Sequence, residues 1–82
     1  MKKNINLLDA PSNRELQVLA ITVGPMAKRR LISMGIHVED KVMKYNGSSW
    51  CPVLIKNVTL DSAKIAIGKR LAAKIMVSYE ET

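Results

Sequence analysis

The chain has 82 residues, of which 48% are apolar and 24% are charged. A chain of this length has room for one hydrophobic core, so we expect a single domain over residues 1–82 and little capacity for an elaborate catalytic centre. The formal charge is +6, from 13 Lys and Arg against 7 Asp and Glu, and it favours an anionic partner: nucleic acid, anionic lipid or an acidic protein surface.

The chain begins with a polar stretch, which we predict to be an arm and a loop over residues 1–15. Residues 1–4, and 80–82 at the other end, are expected to be flexible. Residues 16–23 are rich in β-branched and aliphatic side chains and stop at a Gly-Pro pair, so they predict the first strand.

A short helix is predicted over residues 25–35. Pro25 suits the first helical turn, and apolar residues at positions 27, 31 and 34 follow helical spacing. Leu31 is the central apolar residue of this stripe. Gly35 is expected just after the helix end in the left-handed conformation, with Ile36 folding back on the last turn.

Four further strands and one helical turn follow this helix. The strands are predicted over residues 40–45, 53–58, 62–67 and 75–79, and the turn over 69–73. Five short strands in an open sheet would leave bare edges, whereas closure into a barrel would remove them. The sequence therefore predicts a mostly β, small five-stranded barrel with an α-helix inserted after the first strand.

The cellular compartment is predicted from the cysteine content and the chain start. Cys51 is the only cysteine and cannot form an intramolecular disulfide, so a cytoplasmic setting is expected. The two lysines after Met1 resemble the start of a signal peptide, but Asn4 and Asn6 interrupt the apolar stretch behind them. No run approaches the about 18 apolar residues of a membrane span.

Catalytic and metal chemistry find little support in the residue types. His37 and Cys51 are single residues without the clustered spacing of a closed zinc site, so they are weak metal candidates and we expect no cofactor. A nucleophilic Cys51 would need His37 beside it, and no Gly-rich phosphate loop is present. The methionines at positions 26, 34, 43 and 76 are expected to fill the core. We therefore predict that the chain is not an enzyme.

The strongest functional signal is a basic cluster. Lys28, Arg29 and Arg30 lie early in the predicted helix, where cations oppose the helix macrodipole, and Lys69 and Arg70 lie in the second helical turn. An unfavourable local placement suggests a role toward a partner; the alternative is a solvated face, with Arg30 packed along the barrel. Trp50, beside a polar loop, is predicted either to anchor an interface or to cover one end of the barrel.

Residues 29–36 read Arg-Arg-Leu-Ile-Ser-Met-Gly-Ile. This run resembles the motif R-R-L-x-x-x-G, followed by Leu or Ile, of the ferrous iron transport protein A (FeoA) family. Residues 65–77 are similar to the pattern with which the family's sequences close. The resemblance implies a structural role for Leu31 and Gly35 in the first segment and for Ala72 and Ile75 in the second. The resemblance covers roughly residues 5–79.

The resemblance implies an SH3-like barrel without chemistry of its own. It also implies docking on the cytoplasmic GTP-binding domain of the ferrous iron permease, and the family is often described as binding transition metals. Residues 37–40 replace a Pro-Gly turn common in the family. Gly68 stands where the family often has an arginine, whose role would fall to Lys69 or Arg70.

Two alternatives to a permease partner remain open at the level of sequence. The charge of +6 is also compatible with a small barrel that binds nucleic acid. The SH3-like domain of iron-dependent repressors suggests a metal or ligand sensor, although this chain lacks a DNA-binding half.

Overall fold

The computed structural model describes residues 1–45 and 52–81, and these form one antiparallel sheet with two short helices. The elements in chain order are β1 Lys2–Asn6, β2 Glu15–Ile21, α1 Pro25–Ser33, β3 Lys41–Tyr45, β4 Val53–Asn57, β5 Ile65–Ile67, α2 Lys69–Ala72 and β6 Ile75–Glu80. Each strand is hydrogen-bonded to its neighbours in the order β1-β6-β2-β3-β4-β5. The predicted mostly β class is confirmed, as are the inserted helix and the helical turn before the last strand.

The sheet has six strands rather than the predicted five, and it is not closed. Within the described part of the chain, β1 and β5 are the two outer strands and do not pair with each other. Closure is not needed to protect these edges, because β5 is only three residues long and β1 carries exposed lysines. Short and charged edge strands resist pairing with other chains.

The prediction of an arm and a loop over residues 1–15 is wrong for β1. Lys2 pairs with Glu80 and Ile5 with Val77 along the edge of the sheet, so residues 2–6 form a strand. The flexibility of residues 1–4 and 80–82 stays a prediction. Ile5 packs against the core, and Leu7, two residues later, is 1% exposed. An edge strand with one buried face needs only this short alternation of apolar side chains.

The loop after β1 is anchored by a lysine from the centre of the sheet. Lys44 Nζ donates hydrogen bonds to the carbonyl oxygens of Leu8 and Ala10, at 2.7 and 2.8 Å. Burial lowers the pKa of this ammonium group, although the charge of Asp9 opposes the change. The loop can therefore bury Leu7 and Ala10 without leaving its carbonyl groups unpaired.

The core lies between the sheet and the two helices. Strand positions supply most of it by alternation, while Leu31 from α1 and Ala72 from α2 are fully buried against it. The buried apolar residues are Leu7, Ala10, Leu16, Val18, Ile21, Leu31, Ile36, Val42, Val53, Ile55, Ile67, Ala72, Ile75 and Val77.

The expectation that the methionines fill the core is wrong for Met26. Its side chain is 83% exposed, whereas Met34 packs against the core. Met26 precedes Ala27, the first residue of the apolar stripe, and therefore projects from a different side of α1. This leaves a flexible apolar side chain on the outer surface of the helix.

Helix α1 ends in a Schellman motif. Gly35 adopts a φ of +93°, and its N–H donates to the carbonyl of Ile32, while the N–H of Ile36 donates to the carbonyl of Leu31. Ile36 is fully buried, so the chain turns back into the core as soon as the helix ends. The left-handed conformation is costly for a residue with a Cβ atom.

Replacing this glycine should therefore destabilise the fold through backbone strain alone, since a Cβ added at Gly35 meets no atom within 4 Å. We expect Gly35→Ala to lower the free energy of unfolding by about 1–2 kcal/mol, measured by urea denaturation. Gly24→Ala is the matched control for backbone conformation, because Gly24 has a φ of −66° and equal space. Alanine is a poorer N-cap residue than glycine, so this variant should lose some stability, but less than Gly35→Ala. Equal losses in the two variants would contradict this explanation.

Candidate partner-binding surface

Six cations lie on the two helices or just after α2, and we call them the cationic helical surface: Lys28, Arg29, Arg30, Lys69, Arg70 and Lys74. All six residues are exposed to solvent. Arg30 lies in the last turn of α1, where the macrodipole favours a cation, so the predicted unfavourable placement holds only nearer the helix start. Arg30 is exposed to solvent, and its predicted packing along the barrel stays a prediction.

No acidic side chain of the described residues pairs with a cation of this surface. All seven acidic residues lie in the described part of the chain, and none of their side chains comes within 4.0 Å of the six cations. Five carboxylates pair elsewhere: Glu15 with Lys41, Asp40 with His37, Asp61 with Lys56, Glu80 with the Met1 ammonium and Glu81 with Lys3. The sequence explains this arrangement, since residues 16–38 and 62–79 contain no acidic residue. The surface therefore carries a positive potential that attracts an anionic partner.

An apolar groove of about 510 Å³ separates the start of α1 from α2. Its lining consists of Val23, Gly24, Ala27, Arg70, Leu71, Ala73 and Lys74. The apolar side chains line the groove, and Arg70 and Lys74 add two cations of the cationic helical surface to it. A second depression of about 370 Å³ lies along α1 and is lined by Met26, Arg29, Arg30 and Ser33.

The two sides of the groove are tied together by a single carbonyl oxygen. Thr22 donates to the carbonyl of Lys74 from both its backbone N–H and its hydroxyl, each at 2.9 Å. Thr22 directly precedes Val23, and Lys74 directly follows Ala73. This double hydrogen bond therefore holds the two chain segments that line the groove in a fixed relation.

Lys74 and the groove itself were not predicted from the sequence. The residues of the groove come from two segments more than forty positions apart, and only the pairing of β2 with β6 brings them together. Trp50, the other predicted partner-binding residue, lies outside the described residues. Its role as an interface anchor stays a prediction.

The metal candidate His37 belongs to a polar cluster around the buried Asn57, which we call the Asn57 network. His37 Nδ1 lies 3.0 Å from Asp40 Oδ2, and Asn57 Nδ2 donates to the same carboxylate oxygen at 2.8 Å. Asn57 Nδ2 also donates to the carbonyl of Gly35, and Asn57 Oδ1 accepts the N–H of Leu60. Asn57 is fully buried, and these bonds satisfy both N–H groups of its amide and give its oxygen one donor.

The described residues contain no group of three or more His, Cys, Asp or Glu side chains placed to hold a metal ion. Cys51, the second metal candidate, lies outside the described residues. The structure gives His37 a structural partner in Asp40. The network was not predicted either, although the alternation of Val53, Ile55 and Asn57 places that amide on the buried face of β4.

The Asn57 network controls the titration of Asp40. The hydrogen bond from Asn57 lowers the pKa of Asp40 below its ordinary value of 3.8, His37 lowers it further, and burial opposes them. At a pH near this ordinary pKa, the unfolded chain therefore binds more protons at Asp40 than the folded chain does. The stabilisation is therefore present above the ordinary pKa and is lost as the pH falls through and below it.

Acid should consequently destabilise the native protein more than an Asp40→Asn variant. We expect the free energy of unfolding, measured by urea denaturation from about pH 5 to about pH 3, to fall less steeply in that variant. The loss of unfolding free energy caused by the substitution itself is measured at about pH 5, and it is subtracted from the values of the variant at lower pH. Identical slopes for the two proteins would show that Asp40 does not contribute.

Comparison with known proteins identifies the fold. The FeoA domain model matches residues 5–79. The crystal structure of an iron uptake regulatory protein (FeoA) is similar with a TM-score of 0.79 and 25% identity, covering 92% of this chain and 96% of that one. The solution structure of a FeoA-like protein from Clostridium acetobutylicum has a TM-score of 0.75 and 19% identity, covering 94% and 87%.

The likeness extends to one domain of a larger protein. A manganese-dependent transcriptional repressor in complex with manganese has a TM-score of 0.80 at 18% identity, and the match covers 90% of this chain and 36% of the repressor. None of the curated protein sequences compared matches. No helix among the described residues is long and apolar enough to span a bilayer. The predicted SH3-like class is confirmed, and the chain belongs to the FeoA family, which is involved in ferrous iron transport.

Proposed function

We propose that this protein is a non-enzymatic accessory and regulatory module of ferrous iron uptake. It acts in the cytoplasm, without a metal or other cofactor of its own, by docking on the cytoplasmic GTP-binding domain of the ferrous iron permease. The observation that carries the proposal is the match of the FeoA domain model over residues 5–79. The similarity to a protein described as an iron uptake regulatory protein supports a regulatory role.

The polar groups of the structure support an accessory role. The best candidate for acid–base chemistry, His37, is bonded to Asp40 within the Asn57 network, so its position serves the fold. The partly buried ammonium group of Lys44 is likewise bonded to loop carbonyls. What the chain offers to other molecules is the cationic helical surface.

We assign the docking surface to Lys28, Arg29, Arg30, Lys69 and Arg70, with Trp50 as an additional anchor. Because no acidic side chain of the described residues pairs with these cations, a partner with acidic groups would meet a positive field. Exposed charges of this kind mainly raise the rate of association and its dependence on salt. A tryptophan would add apolar contact at the centre of such an interface.

Binding to the purified cytoplasmic domain of the permease tests this function directly. We expect the unmutated protein to bind, and Arg29→Ala to weaken the affinity by about twofold to fivefold, since an exposed ion pair contributes roughly 0.2–1 kcal/mol. Trp50→Ala should weaken the affinity more, by about tenfold or more, which is the effect expected of a hot-spot residue. Calorimetry with and without a GTP analogue provides the measurement.

Lys2→Ala is the matched control for charge, because Lys2 is an exposed cation on β1, outside the cationic helical surface. It should leave the affinity unchanged within about twofold. No binding by the unmutated protein in either nucleotide condition would overturn the proposal. An equal effect of Lys2→Ala and Arg29→Ala would overturn the assignment of the surface.

The same unneutralised cations favour a second candidate, nucleic-acid binding. A mobility-shift titration with RNA and DNA at two salt concentrations distinguishes the two. Affinity that falls steeply with salt, together with no binding to the permease domain, would favour nucleic acid. The likeness to the repressor domain, at 18% identity, concerns the fold alone and supports no sensor function.

A further inference from the structure

We infer that the groove between α1 and α2 binds a protein segment whose apolar side chains are flanked by carboxylates. This rests on the proposed function, in which the permease domain would supply the segment, and it names the chemistry that the partner must have. The groove is neither filled nor covered by the described residues. Its volume of about 510 Å³ lies within the range of sites that receive several side chains or a small ligand.

The interior of the groove selects apolar side chains. Val23, Ala27 and Leu71 line it and are only half-buried, and Ala73 is exposed. Small and aliphatic side chains on both sides leave space for an inserted aliphatic side chain, which would remove this surface from water. The double hydrogen bond of Thr22 to the Lys74 carbonyl holds the two sides in place, so insertion requires little ordering of the site.

The cations of the groove select carboxylates beside those apolar side chains. Arg70 and Lys74 line it together with the apolar residues, and neither pairs with a described carboxylate. At the same end, Gly24 directly precedes α1 as its N-cap residue and provides no side-chain cap, and the first turn of α1 contains no acidic residue. A carboxylate arriving here would meet two cations and the positive end of the helix dipole.

Other anionic partners fit this combination less well. The phosphate backbone of a nucleic acid would satisfy the cations but leave the apolar interior exposed to water. A bilayer presents a broad surface that does not enter a concave groove. In a second copy of this chain, the exposed Leu60 is followed by Asp61, but that carboxylate is already paired with Lys56 at 2.9 Å.

The test is an NMR titration of the full chain with synthetic peptides. The probe is a short, end-capped helical peptide that carries leucines flanked by glutamates. One matched peptide replaces the glutamates with glutamines, and another replaces the leucines with serines. We expect saturable shifts of the amide signals of Ala27, Leu71 and Ala73 with the first peptide, and about threefold to tenfold weaker binding with either matched peptide.

Two charge reversals separate the groove from the overall charge of the protein. Arg70→Glu alters the groove, whereas Lys2→Glu makes the same change in net charge on β1, outside both the groove and the cationic helical surface. We expect Arg70→Glu to abolish the shifts and Lys2→Glu to retain the affinity within about threefold. Equal losses, or shifts that do not map to the groove, would overturn the inference.

Three further results would also overturn the inference. These are preferential binding of phosphatidylglycerol vesicles at the groove, preferential binding of DNA there, and self-association of the chain through the groove without peptide. The fate of the proposed function is measured separately. If permease binding survives Arg70→Glu, the proposed function stands and the groove is not the binding site. If the peptide binds the groove but the permease domain does not bind the protein, the inference about the groove stands and the proposed function is wrong.

Discussion

The side-chain amide of Asn57 makes the hydrogen bonds that fix where α1 lies on the sheet. Its Nδ2 atom donates both to the carbonyl of Gly35, just beyond the end of α1, and to the carboxylate of Asp40, just before β3. Its oxygen accepts the N–H of Leu60, in the turn after β4. A buried polar group left without a partner costs about 1–3 kcal/mol, so the helix end, the strand and the turn are held to one arrangement. With nine residues, α1 is too short to be stable alone and depends on this anchorage and on the burial of Leu31.

This anchorage leaves the outer side of α1 free for a partner. The helix presents Arg29 and Arg30 to solvent, while α2 places Arg70 beside its start. The acidic residues of the chain lie outside the segments that build this surface, so the positive field there is not cancelled from within. Electrostatic attraction and an apolar groove thus occur on the same side of the two helices, and a partner can use the first for approach and the second for retention.

Local patterns in the sequence were sufficient for the elements that have strong local signals. Pro25 and Gly35 placed the two ends of α1 within a few residues, and the alternation of Ile65 with Ile67 indicated β5. The edge strand β1 was missed because lysines and asparagines surround its one half-buried apolar residue, Ile5. An edge strand of this kind is stabilised mainly by pairing with a strand from the far end of the chain.

The candidate site was predictable only in part, for a related reason. The cations of α1 and α2 are visible in the sequence, because they cluster in segments without acidic residues. The groove is not visible in the sequence, because it forms only where residues 23–27 meet residues 70–74 in the folded chain. The outward position of Met26 was also missed, because helical spacing shows which residues share a side more readily than which side is buried.

The double hydrogen bond from Thr22 to the Lys74 carbonyl separates the frame of the groove from its lining. The acceptor is a backbone oxygen, so the spacing between the two walls does not depend on which side chains line them. Positions such as Ala27 and Ala73 can then be changed in size or polarity while the frame stays intact. The scaffold is therefore open to redesign of the groove lining without being rebuilt.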